Sequence, residues 1–259
     1  MSRLRVAIGE QLRDCSHVVT LGIRSQIVDY TEKELELLRS ADIIFYPTAR
    51  FVDLFATLGK LTFPTVSCYH LRGERLKQIA LLRMLNVPYP RTGVYYGSKQ
   101  KQKILEDFAF PLIAKKPLGS AAGRDVFLVR DGDKLERYNR KFNPAYIQEY
   151  VLPEMELRVV VTNYEKVFGS YRRAAGGDSR GNAHRAGEWQ TNDMPGEAIA
   201  LGKNIARQGR LSDVMVEMIF KGSQYQVLEL NFQYHESGPL HPGQERFKTI
   251  SEMIERGEL

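Results

Sequence analysis

The sequence predicts an α/β (α+β) protein built in three units, and three observations carry that reading. Short apolar runs alternate with helix-period segments from residue 5 to residue 69, the pattern of a small parallel α/β layer. From residue 92 the order changes to two successive α+β units rather than a continuous β-α-β winding. A strand that ends at Pro153 marks the hinge between those two units. The expected boundaries are 1–72, 73–151 and 152–259.

Each element follows from a local signal. RVAIG (5–9) and HVVTLG (17–22) read as short strands. TEKELELLRSA (31–41) reads as a helix, with Thr31 as N-cap and Glu34 completing a capping box. DIIFYP (42–47) is a strand, RFVDLFATLGK a helix and TVSCY (65–69) a further strand. GERLKQIALLRMLN (73–86) is helical and is stopped by Pro88 and Pro90. TGVYYG is a strand, SKQKILEDF a helix, and FPLIAKK (110–116) a strand leading into the small-residue loop PLGSAAGRD (117–125). VFLVR, DKLERYNRK and AYIQEYV (145–151) follow as strand, helix and strand. ELRVVVTN and KVFGSYRRA form a hairpin turned at Asn163–Tyr164. The polar loop AGGDSRGNAHRAGEW (175–189) leads to the helix GEAIALGKNIARQG, two strands (VMVEMIF and YQVLELNF), an irregular tail and a short terminal helix.

Bulk properties narrow the function. The 259 residues suffice for a full core, and 43% hydrophobic with 26% charged residues is ordinary for a globular protein. A formal charge of +6 favours anionic ligands, but no dense basic run marks a nucleic-acid tail, so nucleic acid is not the expected partner. Cys15 and Cys68 form no metal-ligand spacing and read as two reduced thiols. MSRLRVAIGEQLRD meets charges too soon for a signal peptide, and no apolar run reaches the roughly 18 residues of a membrane span. A cytoplasmic protein without membrane partners is expected.

Three features carry chemistry. The Lys at a strand end before a loop of small residues, IAKKPLGSAAGRDV, suits a phosphate: backbone N–H groups can approach the anion while the ammonium supplies charge. An ordinary turn is the other reading of GSAAG. In YIQEYV an acidic residue ends a strand at the hinge, where backbone groups can meet an adenine edge, although most strand ends are merely structural. Finally, Glu217 and Glu229 each interrupt an apolar strand, with Asn231 two positions after Glu229. A charge inside a buried strand costs several kcal/mol unless it is paired. On adjacent antiparallel strands the two carboxylates converge, and alternation puts Asn231 on the same face as Glu229. Two carboxylates and an amide suit Mg²⁺ bridging phosphates. The alternative is pairing with basic residues across the sheet, for which Arg158, Arg172, Arg173, Arg180 and Arg185 are available.

The order of this set resembles the ATP-grasp superfamily, in particular its RimK-like branch, the ribosomal-protein glutamate ligases and their relatives. The most specific stretch is RRAAGGDSRGNAHRAG (172–187), similar to that branch's RRAxxGDxRxNxHRxG loop almost position for position. The preceding ELRVVV keeps the family's distance from its Arg to the loop's first Arg, and Glu217, Glu229 and Asn231 fall on its metal-ligand spacing. The resemblance is strong over 110–231, weaker over 73–109, and over 1–72 limited to an α/β layout.

The resemblance implies an ATP-grasp fold, two α+β subdomains sandwiching ATP behind a short α/β domain. It implies that Lys115 contacts ATP phosphates under the loop of Gly119, Ser120 and Gly123, that Glu149 and Tyr150 line the adenine pocket, and that Glu156 reaches the ribose. Arg180 and Asn182 would hold the triphosphate and, with Lys115, stabilise the moving phosphoryl group. Glu217, Glu229 and Asn231 would bind two Mg²⁺, for which Mn²⁺ can substitute. Arg158, Arg172 and Arg173 are candidates for a carboxylate substrate; His184 either orients substrate or is held by backbone contacts. The implied activity is ADP-forming carboxylate–amine ligation through an acyl phosphate, on small-molecule or peptide substrates, by a chain that can form a homo-oligomer. Ligases of the D-Ala–D-Ala or glutathione-synthetase type and a non-catalytic ATP-binding regulator are the alternatives.

Three departures stand out. Arg75 replaces the family's Lys on the early helix, the phosphate loop is poorer in glycine, and FQYHESGP follows Asn231 in place of the usual Pro-Gly turn.

Overall fold

The structure, a computed structural model, describes residues 3–118, 125–173, 188–232 and 242–259. Three four-stranded sheets organise them. The first comprises β1 (Arg5–Ala7), β2 (Val19–Thr20), β3 (Ile43–Phe45) and β4 (Leu61–Phe63), all parallel in the order β2-β1-β3-β4. Between its strands lie α1 (Glu32–Ser40) and α2 (Val52–Thr57). The capping box forms as expected: Glu34 N–H donates to the Thr31 hydroxyl and Thr31 N–H donates to the Glu34 carboxylate.

One expected strand is a helix. TVSCY belongs to α3 (Val66–Leu71), and the strand lies just before it, at Leu61–Phe63. Pro64 ends that strand, Thr65 is extended at the N-cap, and Cys68 and Leu71, one helical turn apart, are both buried. The three-residue repeat of burial overrides the β preference of Thr65 and Val66.

Next come α4 (Arg75–Met84), whose Leu82 packs in the core of the third sheet, and then the second unit, β5 (Thr92–Tyr95), α5 (Gly97–Lys101), α6 (Ile104–Asp107), β6 (Leu112–Lys115), β7 (Val126–Val129), α7 (Gly132–Lys141) and β8 (Ala145–Glu149). Its sheet is antiparallel, ordered β5-β8-β6-β7. Alternation along the strands sends Leu112, Ala114, Ala145 and Ile147 into a core with Leu135 and Tyr138 of α7. Ile113, Lys115, Tyr146 and Gln148 therefore share the other face.

The third unit holds β9 (Met155–Thr162), β10 (Lys166–Arg173), α8 (Gly196–Gln208), β11 (Asp213–Lys221) and β12 (Gln224–Asn231), ordered β10-β9-β11-β12 and antiparallel throughout. The β9–β10 hairpin turns as expected at Asn163 and Tyr164, both with positive φ (45° and 65°), in a three-residue loop closed by the Thr162–Lys166 pair. One face of this sheet, with Leu157, Val159, Val161, Val214, Val216 and Leu230, packs under α8. At Gly202 any Cβ would stand 2.8 Å from Val159, so the helix can approach only as glycine. Cys68, Leu71, Leu82 and Val87 from α3, α4 and the loop after α4 join this same core.

The last helix, α9 (Pro242–Glu255), spans 14 residues and returns to the beginning of the chain. Ile250, Met253, Ile254 and Leu259 complete the core of the first sheet with Ala7, Leu12, Phe45 and Phe63, and Arg5 Nε donates to the Leu259 carbonyl at 2.8 Å. Among the described residues no helix is long and apolar enough to cross a membrane. Because Ile250 is fully buried, Ile250→Ala should destabilise the protein by about 2–5 kcal/mol, read as a lower urea midpoint. An unchanged midpoint would show that α9 does not close this core.

Candidate active site

The carboxylates meet because β12 carries a bulge. Gln224 through Val227 pair with Lys221 through Met218, but the next pair is Glu229 with Glu217, so Leu228 is an extra residue. Without it Leu228 would stand opposite Glu217, and Glu229 would turn toward α8. The burial pattern records the shift, since Val227 and Leu230 both reach the core although three positions apart. With the bulge in place, Glu217 lies in register with Glu229 on one side and Arg158 of β9 on the other. Asn231 follows Glu229 on the same face, and Glu217 hydrogen-bonds with the Asn231 side chain. Like charges directly opposed on a sheet repel. Burial first, and then the Glu229 charge, push the Glu217 carboxyl above its ordinary range, against the pull of Arg158, Lys115 and Asn231.

Two cations reach this face, one from β6 and one from α4. Lys115, at the end of β6 and 5% exposed, donates to the Leu228 carbonyl at 3.2 Å, the bulge residue itself. Burial lowers its pKa to about 8, with Glu229 and Glu217 opposing that shift and Arg75 adding to it. Arg75, 4% exposed at the start of α4, lies 3.2 Å from the Glu229 carboxylate through Nη2 and donates from Nη1 to the Lys116 carbonyl at 2.8 Å. The residue that departs from the family pattern thus sits against Glu229. The sequence left two readings of the buried carboxylates open, Mg²⁺ or basic residues across the sheet; Arg75 against Glu229 and Arg158 in register with Glu217 are the basic contacts the structure shows.

The donor set fits a divalent cation. Among the described residues no three His, Cys, Asp or Glu side chains gather as a metal site, so the cluster is two carboxylates completed by the Asn231 amide. Mg²⁺ is commonly held by one or two carboxylates with phosphate oxygens and water supplying the rest.

Other expected site residues fall in different places. Glu149 ends β8 and accepts a hydrogen bond from the Arg91 backbone N–H at 2.6 Å, tying β8 to the start of β5; Tyr150 follows it, half-buried. Glu156 and Arg172, opposite one another on β9 and β10, form an ion pair in which Arg172 Nε donates at 2.9 Å and Nη2 donates to the same oxygen. Arg158 and Arg172 both stack on the Trp189 ring, at 4.5 and 4.7 Å. Backbone bonds between Tyr171 and Gln190 hold that tryptophan beside β10. Arg173 is not brought to this face, because alternation puts it with Tyr171 on the α8 side. Gly119, Ser120, Gly123, Arg180, Asn182 and His184 lie outside the described residues.

Sequence reasoning missed Gln78, Tyr146 and Trp189. Tyr146 pairs with Lys115 across β8 and β6, and burial raises its pKa, with Glu229 adding to the rise. The alternation in AYIQEYV was its signal. Trp189 had one as well, being the lone tryptophan of the chain just past the Arg/Asn loop. Gln78 had none, since a glutamine on a helix gives no sign of what lies opposite.

The family model for the RimK-like ATP-grasp domain matches residues 73–238, well over half of the chain. The chain belongs to that family. Among curated proteins it is 25% identical over 142 residues to an N5-carboxyaminoimidazole ribonucleotide synthase of Saccharolobus solfataricus. It is 32% identical over 124 residues to a 5-formaminoimidazole-4-carboxamide-1-(beta)-D-ribofuranosyl 5'-monophosphate synthetase of Pyrobaculum neutrophilum. These matches cover 52% and 46% of this chain but only 39% and 33% of those proteins. Among solved structures, D-alanine–D-alanine ligase of Bacillus anthracis superposes with a TM-score of 0.70 at 14% identity, covering 99% of this chain and 97% of that one. The macrocyclase MdnC of Microcystis aeruginosa, bound with precursor peptide MdnA, gives 0.68 at 14% identity, covering 97% and 98%. The fold is therefore ATP-grasp, the expected α+β architecture.

The depressed Lys115 pKa gives a pH signature. Between about pH 8 and pH 10.5 the unfolded chain holds this proton and the folded protein has released it. The burial penalty, complete below pH 8, is thus relieved as the pH rises. In urea melts the wild-type protein should gain stability relative to Lys115→Met through that window. A constant difference between the two would show that this ammonium is not buried at β12.

Proposed function

We propose that this chain is an ATP- and Mg²⁺-dependent, ADP-forming ligase that joins a carboxylate to an amine. The observation that carries this reading is the bulged register that sets Glu229 against Glu217 and places the Lys115 ammonium at the bulge. In the proposed reaction a carboxylate oxygen of the acceptor takes the γ-phosphoryl group of ATP, and ADP leaves with the electrons of the broken bond. The amine nitrogen then attacks the acyl carbon, inorganic phosphate leaves, and the nitrogen loses a proton as the amide forms. No covalent protein nucleophile is needed; positioning and charge compensation suffice.

The residues divide that work. Glu217, Glu229 and Asn231 would hold two divalent cations, which when bound neutralise the phosphate tail. Lys115 supplies a compact ammonium to the phosphates from the end of β6. The apolar side chains of Ile113 and Leu128 share its face and suit a nucleobase, with Glu149 and Tyr150 at the hinge. Arg158, whose guanidinium is stacked on Trp189, keeps its in-plane N–H groups for a carboxylate. Arg172 is bound to Glu156, so its part is to orient that carboxylate toward a ribose. Arg180 and Asn182 keep the triphosphate role that the resemblance implies, His184 that of orienting substrate, and Gly119, Ser120 and Gly123 that of covering the phosphates.

The test is ADP release with Mg·ATP across amino acids, acidic peptides, small carboxylates and aminoimidazole ribonucleotides, the last suggested by the names of the curated relatives. Glu229→Ala should lose activity by several orders of magnitude while staying folded. Mg·ATP should raise the melting temperature of the wild-type protein and not that of the variant. A Glu229→Ala protein as active as wild type would overturn the assignment.

A further inference from the structure

β12 is the last strand of its sheet, yet its outer edge is occupied. Val227 N–H donates to the Pro88 carbonyl at 2.9 Å, and the Leu228 carbonyl accepts from Lys115. At Leu230 the partner is a side chain. Gln78 of α4, 4% exposed, donates from Nε2 to the Leu230 carbonyl at 2.8 Å and accepts the Leu230 N–H at Oε1, 3.1 Å away. Its second Nε2 hydrogen goes to the Leu71 carbonyl at 2.9 Å. A buried carboxamide is costly unless its groups are bonded, and here both hydrogens and the oxygen are used. The pair of bonds to one residue is the pattern a neighbouring β-strand would make.

Leu230 lies between Glu229 and Asn231, and the bulge at Leu228 lies just before them. Without the bulge, β12 would run in a different register against β11. In the bulged one Glu229 and Asn231 face Glu217; in the regular one they turn toward α8, and Leu228 and Leu230 take their place. The bonds to Gln78 can be made only where the Leu230 N–H and C=O point outward at this height on α4. We propose that Gln78 is a positioning residue for the cation site, a side-chain surrogate for a fifth strand that holds β12 in its bulged register.

This inference rests on the proposed cation site, and the test separates the two. Mn²⁺ is titrated into the full chain in the presence of ADP, with the free-ion signal followed by electron paramagnetic resonance. Gln78→Met keeps the length of the side chain and removes all three hydrogen bonds. It should weaken Mn²⁺ binding about tenfold to a hundredfold, the range seen when residues that orient metal ligands are lost. A role in packing alone would lower the melting temperature and leave Mn²⁺ affinity unchanged, and that result in a folded variant overturns the inference. Wild-type protein that takes up no Mn²⁺ overturns the cation site itself, and the inference with it. Should Gln78→Met fail to fold, amide exchange in the wild-type protein decides. The Leu230 N–H is expected to be protected like the interior amides of the sheet, and free exchange, as at an open edge, overturns the proposal.

Discussion

A strand at the margin of a sheet presents a row of unsatisfied N–H and C=O groups, and the architecture of this protein turns on how β12 satisfies them. Its inner edge pairs with β11; its outer edge is bonded by Gln78 of α4, by Pro88 after that helix and by Lys115 of β6. The strand that carries Glu229 and Asn231 is therefore also the seam between two units. Relative motion of those units would break polar bonds to a buried backbone, each costing about 1–3 kcal/mol if left unmade. Placing the reactive carboxylates on that seam gives them fixed geometry relative to Lys115.

Charge follows the same logic. Glu217 and Glu229 come from one sheet, Lys115 from another and Arg75 from α4, and the opposite charges lower each other's cost of desolvation. The compensation is partial, which is why burial still depresses the Lys115 pKa and raises that of Glu217. Arg75 against Glu229 shows how the substitution of the family's early lysine is accommodated, with one guanidinium reaching both a carboxylate and the backbone after β6.

Much of this was legible in the chain. The capping box at Thr31 and Glu34, the hairpin turn at Asn163–Tyr164 and the strands in FPLIAKK and ELRVVVTN are local signals, and each held in three dimensions. The paired carboxylates were legible too, because a charge in an apolar strand requires a partner. Two features escaped: the helix over Val66–Leu71, where β-branched residues suggested a strand, and the return of α9 to the first sheet. The first depended on burial against the third unit, the second on a contact some two hundred residues away in the chain.

The sequence by itself determined most of the elements, the order of the segments that carry Lys115, Glu149 and the two carboxylates, and the family to which they belong, because propensity, capping and residue spacing act over a few positions. Tertiary structure alone decided which way Glu229 faces, since that depends on one extra residue in β12 and on a glutamine 152 positions away in the chain that bonds the strand from outside. It alone decided that Arg173 lies on the far side of its sheet while Arg158 and Arg172 share a tryptophan. A hydrogen bond between distant residues leaves no periodic trace along the chain, and only the folded backbone brings its two ends together.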